Sequence, residues 1–255
     1  MDLGFDFTNI FKIPSEEQLD KNAREWWAML EPHCFHKWSP KLLELTYPLL
    51  MVGLPRPLIE RLLHAYDGLS KEASQELESD LVALIDGRWD FSERFFMKLC
   101  SRSPKDFLSD GPTIRPLTSS WEMLTAIMAS ERCLDDLCML ARIDNPYLVL
   151  RPYIDIEPWR EFRVFVKDGK VAGISQYHYT LDFEFTDQNI DDIDWLIRDF
   201  MDNSAIPNFP LPDFVADIVF DDPIMLLEIN PFGLSDPCLF KSYDNLDGTT
   251  KIIRV

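Results

Sequence analysis

The sequence predicts an α+β fold in which helices come first and antiparallel sheet comes last. Two patterns carry this. Over the first third, apolar residues recur at helical spacing behind hydroxyl residues suited to cap helices. The C-terminal half instead holds runs of β-formers joined by short turn signals. Size is the third observation: 255 residues, 46% of them hydrophobic and with seven Trp, are enough for one large domain or two small lobes around a substantial core.

The elements follow in chain order. Ser15 and Gln18 read as a capping box ahead of Leu19, Ala23, Trp26, Trp27 and Leu30 on one helical face. A second helix follows Pro57, with Leu58, Ile59, Leu62, Leu63 and Tyr66 on its apolar side and Gly68 placed to end it. Residues 70–84 form a third helical pattern whose Glu72, Glu76, Glu78 and Asp80 are expected to face solvent. Residues 94–99 alternate as a strand and run into the polar loop Cys100-Ser101-Arg102-Ser103-Pro104-Lys105-Asp106. Ser119 and Glu122 make another capping box, opening one helix that carries Trp121, Leu124, Ile127, Met128 and Leu134 towards Leu140. Tyr147-Leu148-Val149-Leu150 reads as a buried strand leading into Arg151-Pro152. Residues 161–166 and 170–176 pair around Asp168-Gly169, a hairpin turn signal. A helix near 189–201, with Ile190, Ile193, Leu196, Ile197 and Phe200 on its apolar side, precedes a last hairpin of residues 214–220 and 224–230.

A formal charge of −19 disfavours non-specific binding to nucleic acid or to an anionic membrane, and favours a basic protein partner. Met1-Asp2-Leu3-Gly4-Phe5-Asp6 has neither the basic region nor the apolar core of a secretory signal, and no apolar run reaches the roughly 20 residues of a membrane span, so a soluble, cytoplasmic chain is expected. The five cysteines, at 34, 100, 133, 138 and 238, are odd in number and lack a C-x-x-C spacing. They are expected as small buried hydrophobes, not as a disulfide framework or zinc site. The four histidines are scattered, and the close pair His33 and His36 falls in a loop or helix entry that does not suit a metal centre.

Chemistry concentrates in the last hairpin. Side chains alternate faces along a strand, so Glu228 and Asn230 point the same way and a facing Asp217 would complete a cluster of three oxygen donors suited to Mg²⁺. The same pattern also fits the solvated face of an antiparallel hairpin. Lys98 on its strand, and Arg151 and Arg163 on later ones, supply the cations that neutralise phosphate oxygens, while carboxylates tolerate phosphate only across a divalent cation. Taken singly these have structural readings too: Lys98 snorkelling out of a strand, Glu161 and Arg163 as an ion pair on one strand face. No G-x-x-x-x-G-K-[ST], G-x-G-x-x-G, G-x-S-x-G or zincin motif occurs, which disfavours Walker-type NTPases, Rossmann dehydrogenases, serine hydrolases with a nucleophile elbow and zincins.

Several short motifs carry a family resemblance as an ordered set: Cys34-Phe35-His36-Lys37-Trp38-Ser39-Pro40-Lys41, Phe96-Met97-Lys98-Leu99 with Ser103-Pro104-Lys105-Asp106, Leu150-Arg151, Glu161-Phe162-Arg163-Val164-Phe165-Val166, Ile174-Ser175-Gln176, Phe214-Val215-Ala216-Asp217 and Asn230-Pro231-Phe232-Gly233. Together they resemble the cell-division-cycle-123 family of atypical ATP-grasp proteins. The resemblance implies a two-lobe ATP-grasp-like α+β fold with antiparallel sheets: an N-terminal helical region over 1–90, a small α+β lobe over 91–148 and a larger antiparallel-sheet lobe over 149–255. It implies ATP and Mg²⁺ as cofactors. Lys98 would contact phosphates, Ser103 and Lys105 would cover them, and Val149 and Leu150 would meet adenine at the hinge. Arg151 and Arg163 would lie near ribose and phosphates, with Asp217, Glu228 and Asn230 as Mg²⁺ ligands. It further implies an assembly chaperone whose protein partner is the gamma subunit of translation initiation factor two; an ATP-grasp ligase or kinase is the alternative. Two positions depart from the family pattern. Tyr177 follows Ile-Ser-Gln where a basic residue is usual, leaving open a divergent shell that has lost nucleotide binding, and Glu228 stands where Asp is usual. The chain is also shorter than eukaryotic members, as a bacterial or divergent member would be.

Overall fold

The computed structural model describes residues 14–65, 70–111 and 113–253, so Tyr66, Gly68 and the six N-terminal residues named above lie outside the described residues. Helix α1 (Glu16–Leu30) starts where the Ser15 hydroxyl accepts the Gln18 amide at 3.2 Å. The Gln18 side chain bonds Asn22 instead of reaching back, so only half of the expected box forms. Two 3₁₀ turns (Glu31–His33 and Phe35–Lys37) and the short α2 (Pro40–Leu43) lead to β1 (Leu50–Gly53), a strand the sequence pattern did not mark. Helices α3 (Arg56–Ala65) and α4 (Lys71–Ile85) bury Leu58, Ile59 and Leu62 on one and Leu77, Leu81 and Ile85 on the other. Of the acidic run on α4, Glu72 and Glu76 are exposed, Glu78 accepts from the Ser120 hydroxyl and Asp80 pairs with Arg61 of α3.

After β2 (Phe95–Leu99) come the short α5 (Lys105–Leu108) and a two-rung hairpin, β3 (Ser109–Asp110) with β4 (Thr113–Ile114). The single helix expected over 119–140 is two, α6 (Ser120–Ala129) and α7 (Glu131–Leu140). Ser130 breaks it: its backbone is extended (φ −89°, ψ 115°) and its hydroxyl caps α7 by accepting from the Cys133 amide at 3.1 Å. The same hydroxyl donates to Asp106 at 2.6 Å, which ties the loop carrying Lys105 to the break. Trp121, expected on the apolar side, is 46% exposed.

Strand β5 (Tyr147–Pro152) lies at the centre of a three-stranded antiparallel sheet, between β1 and β2. That sheet draws β1 from within 1–90 and β2 from within 91–148, while β5 straddles 148/149, so it crosses all three of the segments expected as separate regions. A second sheet has the order β10-β7-β6-β8-β9, where β6 is Glu161–Lys167, β7 Lys170–Gln176, β8 Phe214–Val219, β9 Met225–Pro231 and β10 Thr250–Lys251. Its pairs are antiparallel except β10 with β7. Asp168 and Gly169 make the β6–β7 turn with positive φ (52° and 69°), the conformation an Asp-Gly hairpin turn requires. Between β7 and β8 lies α8 (Asp187–Phe200), opened by a reciprocal Thr186–Asn189 capping box.

Alternation divides the larger sheet. Phe162, Val164, Phe214, Ala216 and Ile218 join Ile193 and Ile197 of α8 in the main core. On the other face, Phe165 and Val215 pack with Phe240 in a smaller cluster, and Arg163 and Asp217 share that face further along. No described helix is long and apolar enough to cross a membrane. Cys34, Cys100, Cys133 and Cys238 are buried, and Cys138 is exposed.

Gly173 on β7 is fixed by the smaller cluster. A Cβ there would meet Phe240 Cζ at 2.6 Å and Leu246 Cδ2 at 3.0 Å, and Phe240 is itself held by Phe165 with ring centroids 5.6 Å apart. Gly173→Ala is expected to destabilise the fold by about 1–3 kcal/mol through overpacking, read as a lowered urea midpoint at unchanged slope.

Candidate functional site

The registers of the larger sheet build the site. Arg163 on β6 is the partner of Asp217 on β8, and Asp217 is the partner of Glu228 on β9, which places the three in one row across three strands. Arg163 grips Asp217 in a two-pronged contact, Nε to Oδ1 at 2.7 Å and Nη2 to Oδ2 at 2.8 Å, and its Nη1 donates to the Asp236 carbonyl at 2.9 Å. Asp217 is buried, so the solvated hairpin face is ruled out at this position. The alternative reading of Glu161 and Arg163 as an ion pair is not met among the described residues, because Arg163 spends its fork on Asp217; Glu161 instead contacts His178 Nε2 at 3.1 Å.

Glu228 is reached from the other sheet. Lys98 of β2 does not snorkel outward; its Nζ donates to Glu228 Oε2 at 2.7 Å, a buried cation bridging the two sheets. Asn230, two residues on, lies between the carboxylates, its amide 3.3 Å from Glu228 Oε1 and 3.4 Å from Asp217 Oδ2. The two acids respond differently. Burial pushes the Asp217 carboxyl up to about 6 against the pull of Arg163, with Glu228 and Glu161 adding to the rise. Burial also opposes ionisation of Glu228, but Lys98 and Lys105 hold its carboxyl well below the usual carboxylate range.

A cavity of about 550 Å³ opens between the sheets on this row. Of the expected residues, Ser103, Lys105, Arg151 and Glu228 line it. Lys98 and Asn230 line a small chamber of about 20 Å³ on the far side of Glu228, while Arg163 and Asp217 line neither. Val149 and Leu150 do not reach the cavity: on the central strand of the small sheet they pair with both β1 and β2, and their side chains are buried. The chain that meets the cavity is the next stretch, Pro152, Tyr153 and Ile154. Arg151 is held there over the Phe96 ring at 4.7 Å and by donation to the Leu227 carbonyl at 3.2 Å.

Sequence reasoning also passed over Tyr47, Tyr153, His178 and the β3–β4 hairpin, all of which contribute to the cavity wall. A usable signal existed for Tyr153, which directly follows a buried strand ending in a cation, where cleft loops begin. Tyr177 proves to be a spacer between two cations. Its hydroxyl accepts from Lys105 Nζ at 2.9 Å, and its ring lies 5.1 Å from that ammonium and 4.8 Å from the Arg163 guanidinium. Burial works against the Lys105 charge, but Tyr177, Glu228 and Glu161 outweigh it and raise the lysine's pKa. The cavity wall therefore presents the cations Lys105 and Arg151 beside the Glu228 carboxylate, an arrangement able to accept phosphate oxygens.

Two sheets facing each other across such a cleft define a two-lobed α+β protein. Residues 69–253 match the D123 family profile, and the chain belongs to that family, in agreement with the resemblance carried by its motifs. The translation initiation factor eIF2 assembly protein of Vanderwaltozyma polyspora is 39% identical over 97 residues, 36% of this chain and 26% of that one. Cell division cycle protein 123 of Candida glabrata is 42% identical over 97 residues, 36% of this chain and 27% of that one. The matched stretch thus spans about a quarter of the length of these curated relatives. The structure of Cdc123 from Schizosaccharomyces pombe has the same fold, with a TM-score of 0.68 at 23% identity, covering 89% of this chain and 98% of that one.

Removing one partner of a buried ion pair strands the other charge. Arg163→Ala is expected to lower stability by roughly 3–5 kcal/mol in urea denaturation. Arg163→Lys, which keeps the charge but loses the fork, is expected to fall between this variant and the parent.

Proposed function

We propose that the chain binds ATP with Mg²⁺ in the cleft between its sheets and serves as an assembly chaperone for a subunit of a translation initiation factor. The observation that carries this reading is that Glu228 meets the cations Lys105 and Arg151 at the cavity wall, while behind it Lys98, Asn230 and the Arg163–Asp217 pair form one buried polar network with it. The donor chemistry suits the metal, since two facing carboxylates and an adjacent side-chain amide carry hard oxygen atoms; in this structure Arg163 holds both Asp217 oxygens, Lys98 holds Glu228 Oε2, and Asn230 turns its Nδ2 towards the carboxylates. Asp217, Glu228 and Asn230 would hold that ion, which when bound supplies positive charge between the carboxylates and the phosphate oxygens. Lys105 and Arg151 would neutralise phosphate from the cavity side. Arg163 keeps Asp217 oriented, and Lys98 keeps Glu228 ionised and turned into the cleft. Tyr153 and Ile154, rather than Val149 and Leu150, would flank the base.

The chaperone role is supported by the names of the family relatives and by the acidic surface, which suits a basic partner. Assembly of a translation factor implies action in the cytoplasm. A second reading, a ligase or kinase, is favoured by one feature: the His178–Glu161 pair lines the same cavity and has the composition of a proton acceptor and its orienting carboxylate.

Calorimetric titration tests the nucleotide reading. The folded chain is expected to bind ATP with MgCl₂ at one site, and Lys105→Ala and Glu228→Gln are each expected to weaken binding at least about tenfold, or roughly 1.4 kcal/mol, at retained circular dichroism. Absence of binding by the folded parent protein sinks it. Co-elution with a purified gamma subunit of initiation factor two, in gel filtration, tests the partner.

A further inference from the structure

A second concavity, of about 470 Å³, lies on the α8 side of the larger sheet. Its walls are Trp159, Phe183, Phe185, Ile193 and Phe220. The aromatics brace one another, with Trp159 edge-on to Phe185 at 6.2 Å and Phe183 edge-on to Phe185 at 6.4 Å, so the groove is preformed. Its rim is polar and acidic, formed by Glu184, Asn189 and Asp192. One helical turn beyond Asp192, α8 presents Trp195 at 63% exposure and Leu196 at 38%, which carries the apolar surface out of the groove. Asp191 and Asp199, also exposed, flank this extension. The cation beside the rim is already neutralised: Arg160 lies over the Trp159 ring at 5.0 Å and pairs with Glu157 and Asp221, both at 2.9 Å.

An aromatic patch that includes a largely exposed tryptophan does not help a folded chain in water, and preformed apolar grooves with charged rims are the anatomy of protein docking sites. We propose that this groove binds a basic protein segment that inserts an aliphatic or aromatic anchor between Trp159, Phe183 and Phe185 while its lysines and arginines meet Glu184, Asp191 and Asp192. Charge complementarity selects this occupant. The same acids repel nucleic acid and anionic bilayers, and a second copy of the chain would bring an identical acidic rim on a molecule of charge −19. The proposal goes beyond the nucleotide reading and stands whether or not the cleft holds ATP.

The test uses fluorescence anisotropy with two labelled synthetic peptides of equal positive charge, one with leucine and tryptophan anchors between its lysines and arginines, the other with serine at those positions. The intact protein is expected to bind the anchored peptide at least about tenfold more tightly. Trp195→Ser and Asp192→Lys, both at exposed positions, are each expected to reduce that binding about fivefold or more with unchanged melting. Equal affinity for the two peptides, or unchanged binding in both variants, overturns the proposal. Displacement of the anchored peptide by ATP with Mg²⁺ overturns it by assigning the peptide to the cleft, and self-association lost in Trp195→Ser overturns it in favour of a second copy. Nucleotide titration of the same variants separates this failure from failure of the cleft reading.

Discussion

Two carboxylates facing each other on adjacent strands, Asp217 and Glu228, set the terms for the rest of the structure. Like charges directly opposite in a sheet repel, and burial strengthens the repulsion by removing water. The fold answers with one cation from each side: Arg163 from the neighbouring strand of the same sheet, Lys98 from the opposite sheet. The second contact joins the two sheets, as do donation from Arg151 to the Leu227 carbonyl and from the Leu226 amide to the Leu45 carbonyl at 2.8 Å. The cleft is therefore an electrostatic construction as much as a hydrophobic one.

Much of this was legible in the sequence where the physics is local. Alternation placed Glu228 and Asn230 on one face, the Asp168-Gly169 turn fixed the β6–β7 hairpin, and hydroxyl caps marked the starts of α1 and α6. What escaped was decided by tertiary context. Strand β1 is four residues long and exists because β5 offers it an edge. The break at Ser130 depends on Asp106, which is 24 positions away. Val149 and Leu150 look like the end of a strand from one side, but pairing on both sides seals them in, and from Arg151 on only the edge facing β1 is released. Which cation would take which carboxylate was equally non-local: Glu161 and Arg163 share a strand face, yet each found a partner on another strand or loop.

Tyr177 shows how a neutral aromatic residue holds two cations side by side. A third base beside Lys105 and Arg163 would add repulsion to an already cationic corner; an aromatic ring presents negative potential to both and a hydroxyl to one. The two cations are thereby held in place without an additional counter-ion. The corner stays positively charged and ordered, which is the condition any anionic ligand of the cleft would need.

The bridge between Lys98 and Glu228 also has a temporal meaning. The two residues are 130 positions apart, so their contact closes a very long loop and depends on strands from both sheets. A fragment lacking either β2 or β9 cannot present that edge of the cleft. A ligand that requires it inspects the chain for completeness, and stabilises only those molecules that have finished folding.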